Sequence, residues 1–333
     1  MILRMTEKRN KLIFAVLNHT PVLLLAAVFI IFGLVAPQSL RYQSLENAVK
    51  QASYIGIVAT GMTFVLLTGG IDLSVGSNMY VSAVIAGLAM QRYSINPWPA
   101  LLLCLLVGAL FGIVNAFAVT KLKIMPFVVT LATMVTGRGV GLMFSKSQAI
   151  NFPDSVTGLG SAELLGIVPY PIVIFAVVVF CAWMFLEHTT LGRQIYAVGF
   201  NKEAAHKAGV NTDRSLTSAY VLCGVFASLG GFISIAQLGN VNAGFGKGDE
   251  FDAIAAAVLG GVSLFGGVGR VFPGVVLGAV FIRAVSSSLV AARVDLYLHP
   301  LVAAALVFLA VLIDGLRSTY LAKLSRRTIR VEE

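Results

Sequence analysis

Long apolar runs separated by short polar connections recur along the whole chain, at roughly 21–36, 48–67, 75–91, 98–120, 126–144, 170–186, 215–238, 251–263, 271–291 and 299–315. Most are bounded by Gly, Pro, Asn or a charged residue, and most approach the roughly 20 residues that a helix needs to cross a bilayer. The pattern predicts an all-α polytopic membrane protein with about ten transmembrane segments, some of them short or broken. The segment 251–263 is too short to span upright and suits a re-entrant course, which is tolerated where the backbone is buried in protein or lines a cavity. Two connections exceed a simple turn: 145–169, and 187–214 with its helix-like stretch Asn201-Lys-Glu-Ala-Ala-His-Lys-Ala208. In that stretch Asn201 suits an N-cap and Gly209 the left-handed residue after the helix.

Composition narrows the class. Of 333 residues 58% are hydrophobic and 12% charged, against about 25% charged in soluble domains. Ten crossings leave only short connections, so the expected organisation is a cytoplasmic tail at 1–20, a transmembrane domain at 21–315 and a second cytoplasmic tail at 316–333. Arg4, Lys8, Arg9 and Lys11 precede the first apolar run without an A-x-A cleavage site, which reads as a retained first helix entering from the cytoplasm. The net charge of +9 is a topology signal rather than a nucleic-acid footprint. Alternating sides from a cytoplasmic start puts sixteen Lys and Arg inside and six outside, with Arg138 and Arg283 left within segments. That bias is what the positive-inside rule demands, and it places both termini in the cytoplasm. The three cysteines lie in apolar runs without CxxC spacing and read as packing residues.

Signals for covalent chemistry are poor. No G-x-x-x-x-G-K-[ST], HExxH or GxSxG occurs, so no nucleotide, metal or acyl-enzyme site is expected on this chain. The pairs Gly108/Gly112, Gly137/Gly141 and Gly274/Gly278 have the small-xxx-small spacing that brings helices close in lipid. Gly69-Gly70 and Gly260-Gly261 differ, because they interrupt apolar runs beside polar residues and share a Gly-Gly-aliphatic-x-Leu core, a faint internal repeat. Ionisable groups inside a membrane are costly and face a pathway or a partner. Asp72 leads these candidates, and its alternatives are a place on the pathway or a cap for the helix starting near Ser74. Asp249, Glu250 and Asp252 suit the N-terminus of the following helix, where negative charge is favoured. Candidates for the pathway or gate are Gly69, Gly70, Asp72, Ser74, Asp252, Gly260 and Gly261.

Several stretches in order resemble a known family. They are GMTFVLLTGGIDLSVGS from Gly61 to Ser77, Pro126 to Met134 with Arg138-Gly139, and the string G-R-x-x-x-A-x-G-x-N-x-x-A-A from Gly192 to Ala205. Asp252 to Ala257 with Gly260-Gly261 and Gly266-Gly267 completes the set. Together they resemble the transmembrane permease of ATP-binding cassette importers of the ribose/xylose/arabinose class, a branch that also carries nucleosides and autoinducers. Phe200 and Phe251 stand where the family commonly has Gly and Leu. The resemblance implies a monosaccharide permease working by alternating access in the bacterial inner membrane. It also implies that 187–214 is the loop that engages the ATPase, through Arg193, Gly199, Asn201, Glu203, Ala204, Ala205 and Gly209. The implied partners are a cytoplasmic ATP-binding subunit with two fused nucleotide-binding domains, a second or sister permease, a periplasmic or extracellular sugar-binding protein and membrane lipid. ATP and Mg belong to the ATPase, and this chain is expected to bind no cofactor. The residues also admit an ion-coupled secondary transporter, for which the glycine breaks and buried acids would serve.

Overall fold

The computed structural model of the protein describes residues 20–302, together with 304–306, 308–309, 311–312 and 315. The expected tails, at 1–20 and 316–333, lie almost wholly outside the described residues. The chain is built from helices α1 (Thr20–Val35), α2 (Tyr42–Leu67), α3 (Val75–Tyr93), α4 (Pro97–Thr120) and α5 (Pro126–Ser145). These are followed by α6 (Asp154–Ser161), α7 (Tyr170–His188), α8 (Thr190–Phe200), α9 (Lys202–Lys207), α10 (Thr212–Leu238), α11 (Asp249–Leu259) and α12 (Val276–Ala291). Proline stands in the first turn of α4, α5 and α7, where its missing N–H costs nothing. Two-residue strands pair Ile150 with Val241 and Asn151 with Asn240, tying the 145–169 connection to the end of α10.

Six helices among the described residues are long and apolar enough to cross a membrane: α2, α4, α5, α7, α10 and 271–291, which contains α12. This is an all-α polytopic membrane protein. Four of the expected segments fall short of that measure. The helix at 21–36 has 16 residues, 75–91 (α3) carries several buried polar side chains, and 299–315 is described only in part. The fourth, α11, has 11 residues, about 16 Å of helix against a hydrocarbon core of about 30 Å.

The centre of the molecule is α2 and α10, which pack on each other and are mostly buried, while α4, α5 and α7 leave much of their apolar surface exposed. Small residues set the close packing. Gly108 and Gly112 lie directly on the α10 backbone at Gly224 and Tyr220, Gly141 lies on the Tyr80 ring, and Gly278 on the carbonyl of Ala256. The glycine pairs are therefore contact faces, as their spacing predicts. The polar side chains of α3 (Ser77, Asn78 and Ser82) face this interior and are essentially inaccessible.

Candidate functional site

The first break follows α2. Gly70 N–H donates to Val65 O at 3.2 Å and Gly69 N–H to Leu66 O at 2.8 Å, with Gly69 at φ +77°. This is a Schellman cap, whose left-handed position glycine fills without strain. The chain then turns through Ile71, whose carbonyl accepts from Thr130 Oγ1 at 3.1 Å. Asp72, only 1% exposed, accepts at Oδ1 from Ser74 N–H at 2.9 Å and from Ser74 Oγ at 2.6 Å. Asn115 on α4 donates to Ser74 Oγ at 2.9 Å and more weakly to both carboxylate oxygens at 3.4 Å. Thr133 on α5 donates to Asn115 Oδ1 at 2.8 Å. Asp72 and Ser74 thus join the break to α4 and α5, just ahead of α3.

The second break follows α11 and uses the same cap. Gly261 N–H donates to Val258 O at 2.8 Å and Val262 N–H to Ala257 O at 3.0 Å, with Gly261 at φ +93°. The left-handed residue is the first glycine of Gly69-Gly70 but the second of Gly260-Gly261. The two breaks are therefore alike in conformation, one residue out of the register their sequences suggest. Gly260 lies against the backbone of Gly274.

Beyond α7 the chain forms two helices where one was expected. Thr189 caps α8, accepting from Gly192 N–H at 3.0 Å. Asn201 caps α9, accepting from Ala204 N–H at 2.9 Å. Gly209 closes α9 at φ +85°, with Val210 N–H bonded to Ala205 O at 3.0 Å. Glu203 and Lys207 form no ion pair with each other.

The two breaks and this segment meet at one junction. Gly267 N–H donates to Leu67 O at 2.9 Å. Gly199, at the end of α8, lies so close that a Cβ there would overlap Leu67 O and sit 2.6 Å from Gly267 N. A Cβ on Gly266 would sit 2.8 Å from both Gly69 N and Gly199 O. Tyr196 of α8 adds a tether, its hydroxyl donating to Gly269 O at 3.0 Å. Burial pushes that phenol up to about 12, so it stays a neutral donor. Residues more than 130 positions apart in sequence are thus locked backbone to backbone.

The junction borders two depressions. A groove of about 940 Å³ is lined by Thr68, Gly69, Gly70, Lys123, Pro126, Lys202, Glu203, His206, Lys207 and Asp213, among others. It puts pathway candidates and ATPase-engaging candidates on one surface. A smaller apolar notch of about 440 Å³ is formed by Tyr196, Phe200, Ala204, Ala205, Ala208 and Gly267, with Phe200 80% exposed.

Asp252 stands apart from the glycines with which it was grouped. It lies in the first turn of α11, while Gly260 and Gly261 follow its last turn. Arg283 on α12 donates to Asp252 Oδ2 at 2.7 Å and to Asp249 Oδ1 at 3.3 Å, with its guanidinium 5.1 Å from the centre of the Tyr54 ring. Arg138 instead donates to the carbonyl of Phe245 and covers the Tyr80 ring at 5.4 Å. Glu250 is nearly inaccessible and approaches Gly76 in the first turn of α3. Arg193 lies in the first turns of α8. Asn115, Thr133, Tyr196 and Leu67 belong to the site without having stood out in the sequence. A polar Asn in the middle of the apolar run 98–120 was the one available signal, and nothing local marks Leu67. No cluster of His, Cys, Asp and Glu suited to a metal occurs among the described residues.

In sequence, most of the chain matches known proteins. The family model described as branched-chain amino acid transport system / permease component matches residues 44–313. The chain is 36% identical over 296 residues to the ribose import permease protein RbsC of Escherichia coli (strain K12), covering 87% of this chain and 91% of that protein. It is 34% identical over 312 residues to the autoinducer 2 import system permease protein LsrC of Photorhabdus luminescens, covering 92% and 93%. It is 33% identical over 303 residues to the fructose import permease protein FrcC of Rhizobium meliloti, covering 88% and 84%. No solved structure matches significantly. The chain belongs to the family of branched-chain amino acid transport system / permease components.

Proposed function

We propose that this chain is the permease subunit of a binding-protein-dependent importer in the bacterial inner membrane, forming the path for a monosaccharide, ribose or a related sugar. The observation that carries the mechanism is the junction of Gly199, Leu67 and Gly267. A displacement of α8 and α9 cannot be absorbed by side chains there, so it is passed to both helix breaks. In this reading 187–214 is the cytoplasmic coupling segment, and the apolar notch between α8 and α9, with Phe200 at its edge, receives the ATPase. ATP and Mg act on that separate subunit, which carries two fused nucleotide-binding domains, and the permease makes no covalent bond. The protein works by shifting its population between inward- and outward-facing states, which requires ligands with different affinity for the two. A second or sister permease and an external sugar-binding protein complete the assembly.

Ten crossings with both termini inside fit the sixteen-to-six charge bias. On that count α11 is a partial crossing whose short length is offset by burial against α2 and α12. The helix breaks at 68–74 and 260–270 are the moving parts of the gate. Asp72 and Ser74 pin the first of them, and the Arg283 pair with Asp252 anchors the far end of α11.

A second cargo class has support, since the autoinducer 2 import permease matches as fully as the sugar permeases. Uptake of labelled ribose, fructose and autoinducer 2 by a strain carrying the importer genes ranks these cargoes. Depleting ATP while ion gradients are held should stop uptake; continued uptake that an ionophore abolishes would instead make the chain an ion-coupled carrier.

A further inference from the structure

The groove of about 940 Å³ presents cations from two directions. Lys202 and Lys207 come from α9 and Lys123 from the turn between α4 and α5, and among the described residues none of the three is in an ion pair. His206 adds a further nitrogen. Two carboxylates share the wall: Asp213 is engaged by Lys121 at 3.2 Å, which leaves Glu203 against three ammonium groups. The wall between the charges is apolar, with Val119, Ile124 and Leu216. Its rim continues into exposed apolar side chains, Met125 at 70% and Phe127 and Val128 at 51% each.

A neutral sugar has no charge to offer three ammonium groups, and the exposed apolar side of α5 beside them belongs to a helix long and apolar enough to cross the membrane, which puts lipid within reach of the groove. A phosphodiester with acyl chains satisfies both features. Basic pockets between helices at the cytoplasmic interface hold lipid headgroups by this combination. We propose that the groove is a site for the phosphate of an anionic phospholipid, held by Lys123, Lys202 and Lys207, with its acyl chains along the exposed apolar side of α5. The assignment rests on the reading that 187–214 lies at the cytoplasmic interface. A bound headgroup would brace α9 against the α4–α5 turn, directly beside the break at Gly69-Gly70.

The test uses the full chain, purified in detergent, stripped of lipid and titrated with phosphatidylglycerol or phosphatidylcholine, with bound lipid counted by native mass spectrometry. Phosphatidylglycerol should bind at least tenfold more tightly than phosphatidylcholine. Each lysine near a headgroup is worth about fivefold, so K123Q/K202Q/K207Q should lose roughly a hundredfold in affinity for phosphatidylglycerol. The arginine version of the triple variant should recover it, and the equal-charge control K50Q/R92Q/K146Q should bind like the parent. Equal binding of the two lipids, or a glutamine triple that binds like the parent, overturns the proposal. So does a control that loses as much, because the attraction would then be one of overall charge. Displacement of phosphatidylglycerol by millimolar inorganic phosphate would give the site to free phosphate instead of lipid. The same preparations are scored for a copurifying ATPase. A missing ATPase with lysine-dependent lipid binding tells against the importer reading alone, and the reverse pair of results against the lipid site alone.

Discussion

Replacing Asp72 with Ala separates the two roles open to that carboxylate, a fixed pin or a working charge. In the native arrangement its Oδ1 accepts from the amide and the hydroxyl of Ser74, and both sit where no water reaches. Asn115 keeps its bond to Ser74 Oγ without Asp72, so alanine strands the two strong donors of Ser74 and takes from the Cys223 thiol, a weak donor, its carboxylate partner. An unsatisfied buried donor costs about 1–3 kcal/mol. Relief from burying the carboxylate offsets part of the sum, leaving a net destabilisation of about 2–4 kcal/mol. Asp72→Asn keeps an oxygen at the Oδ1 position and disturbs only weak contacts, the one at 3.4 Å with Asn115 and the thiol of Cys223, so it should stay within about 1 kcal/mol of the parent. The assay is SDS titration of the detergent-solubilised chain followed by circular dichroism, with sugar uptake measured in parallel. Alanine should shift the unfolding midpoint clearly and abolish uptake, while asparagine keeps both near the parent. If asparagine transports as poorly as alanine although it unfolds like the parent, the charge itself is required and the pin argument fails.

Other substitutions probe separate parts of the site. Gly199→Ala drives a Cβ into Leu67 O and should abolish uptake while the protein still inserts, whereas Gly209→Ala meets open space at φ +85° and should cost only about 1 kcal/mol locally; uptake with both variants immunoblotted in membranes compares them. Arg283→Ala leaves Asp249 and Asp252 in a shielded site without their partner and should destabilise by about 3–5 kcal/mol, with D249N/D252N added on top recovering much of the loss in the same SDS titration. Asn201→Ala removes the cap of α9 and about 1 kcal/mol of that six-residue helix's local stability, so the amount of copurifying ATPase should fall while the SDS midpoint, which reports global unfolding, stays near the parent's.

What could be read in advance followed from local rules. Apolar runs located the long helices, and the Asn201 and Gly209 caps are signals contained within a few residues. The α3 helix was expected as the segment 75–91, but Ser77, Asn78 and Ser82 leave it short of the apolarity of a lipid-facing span, and they are buried in protein, which a run of apolar residues does not reveal. The two intramembrane arginines could not be assigned from sequence because pairing is a matter of distance, and only Arg283 meets the carboxylates. The repeat between the two glycine breaks is a likeness of cap geometry, with alignment misplaced by one residue. The junction itself was out of reach, since Leu67, Gly199 and Gly267 lie on three distant segments and the contacts are backbone to backbone.

The most direct measurement is to extract the tagged chain gently from its native membrane and identify what copurifies. An ATPase carrying two P-loop motifs, held by the parent and lost when Glu203 and Gly209 are altered together, is the expected result. A chain that purifies alone and still transports sugar into vesicles on an ion gradient would contradict it.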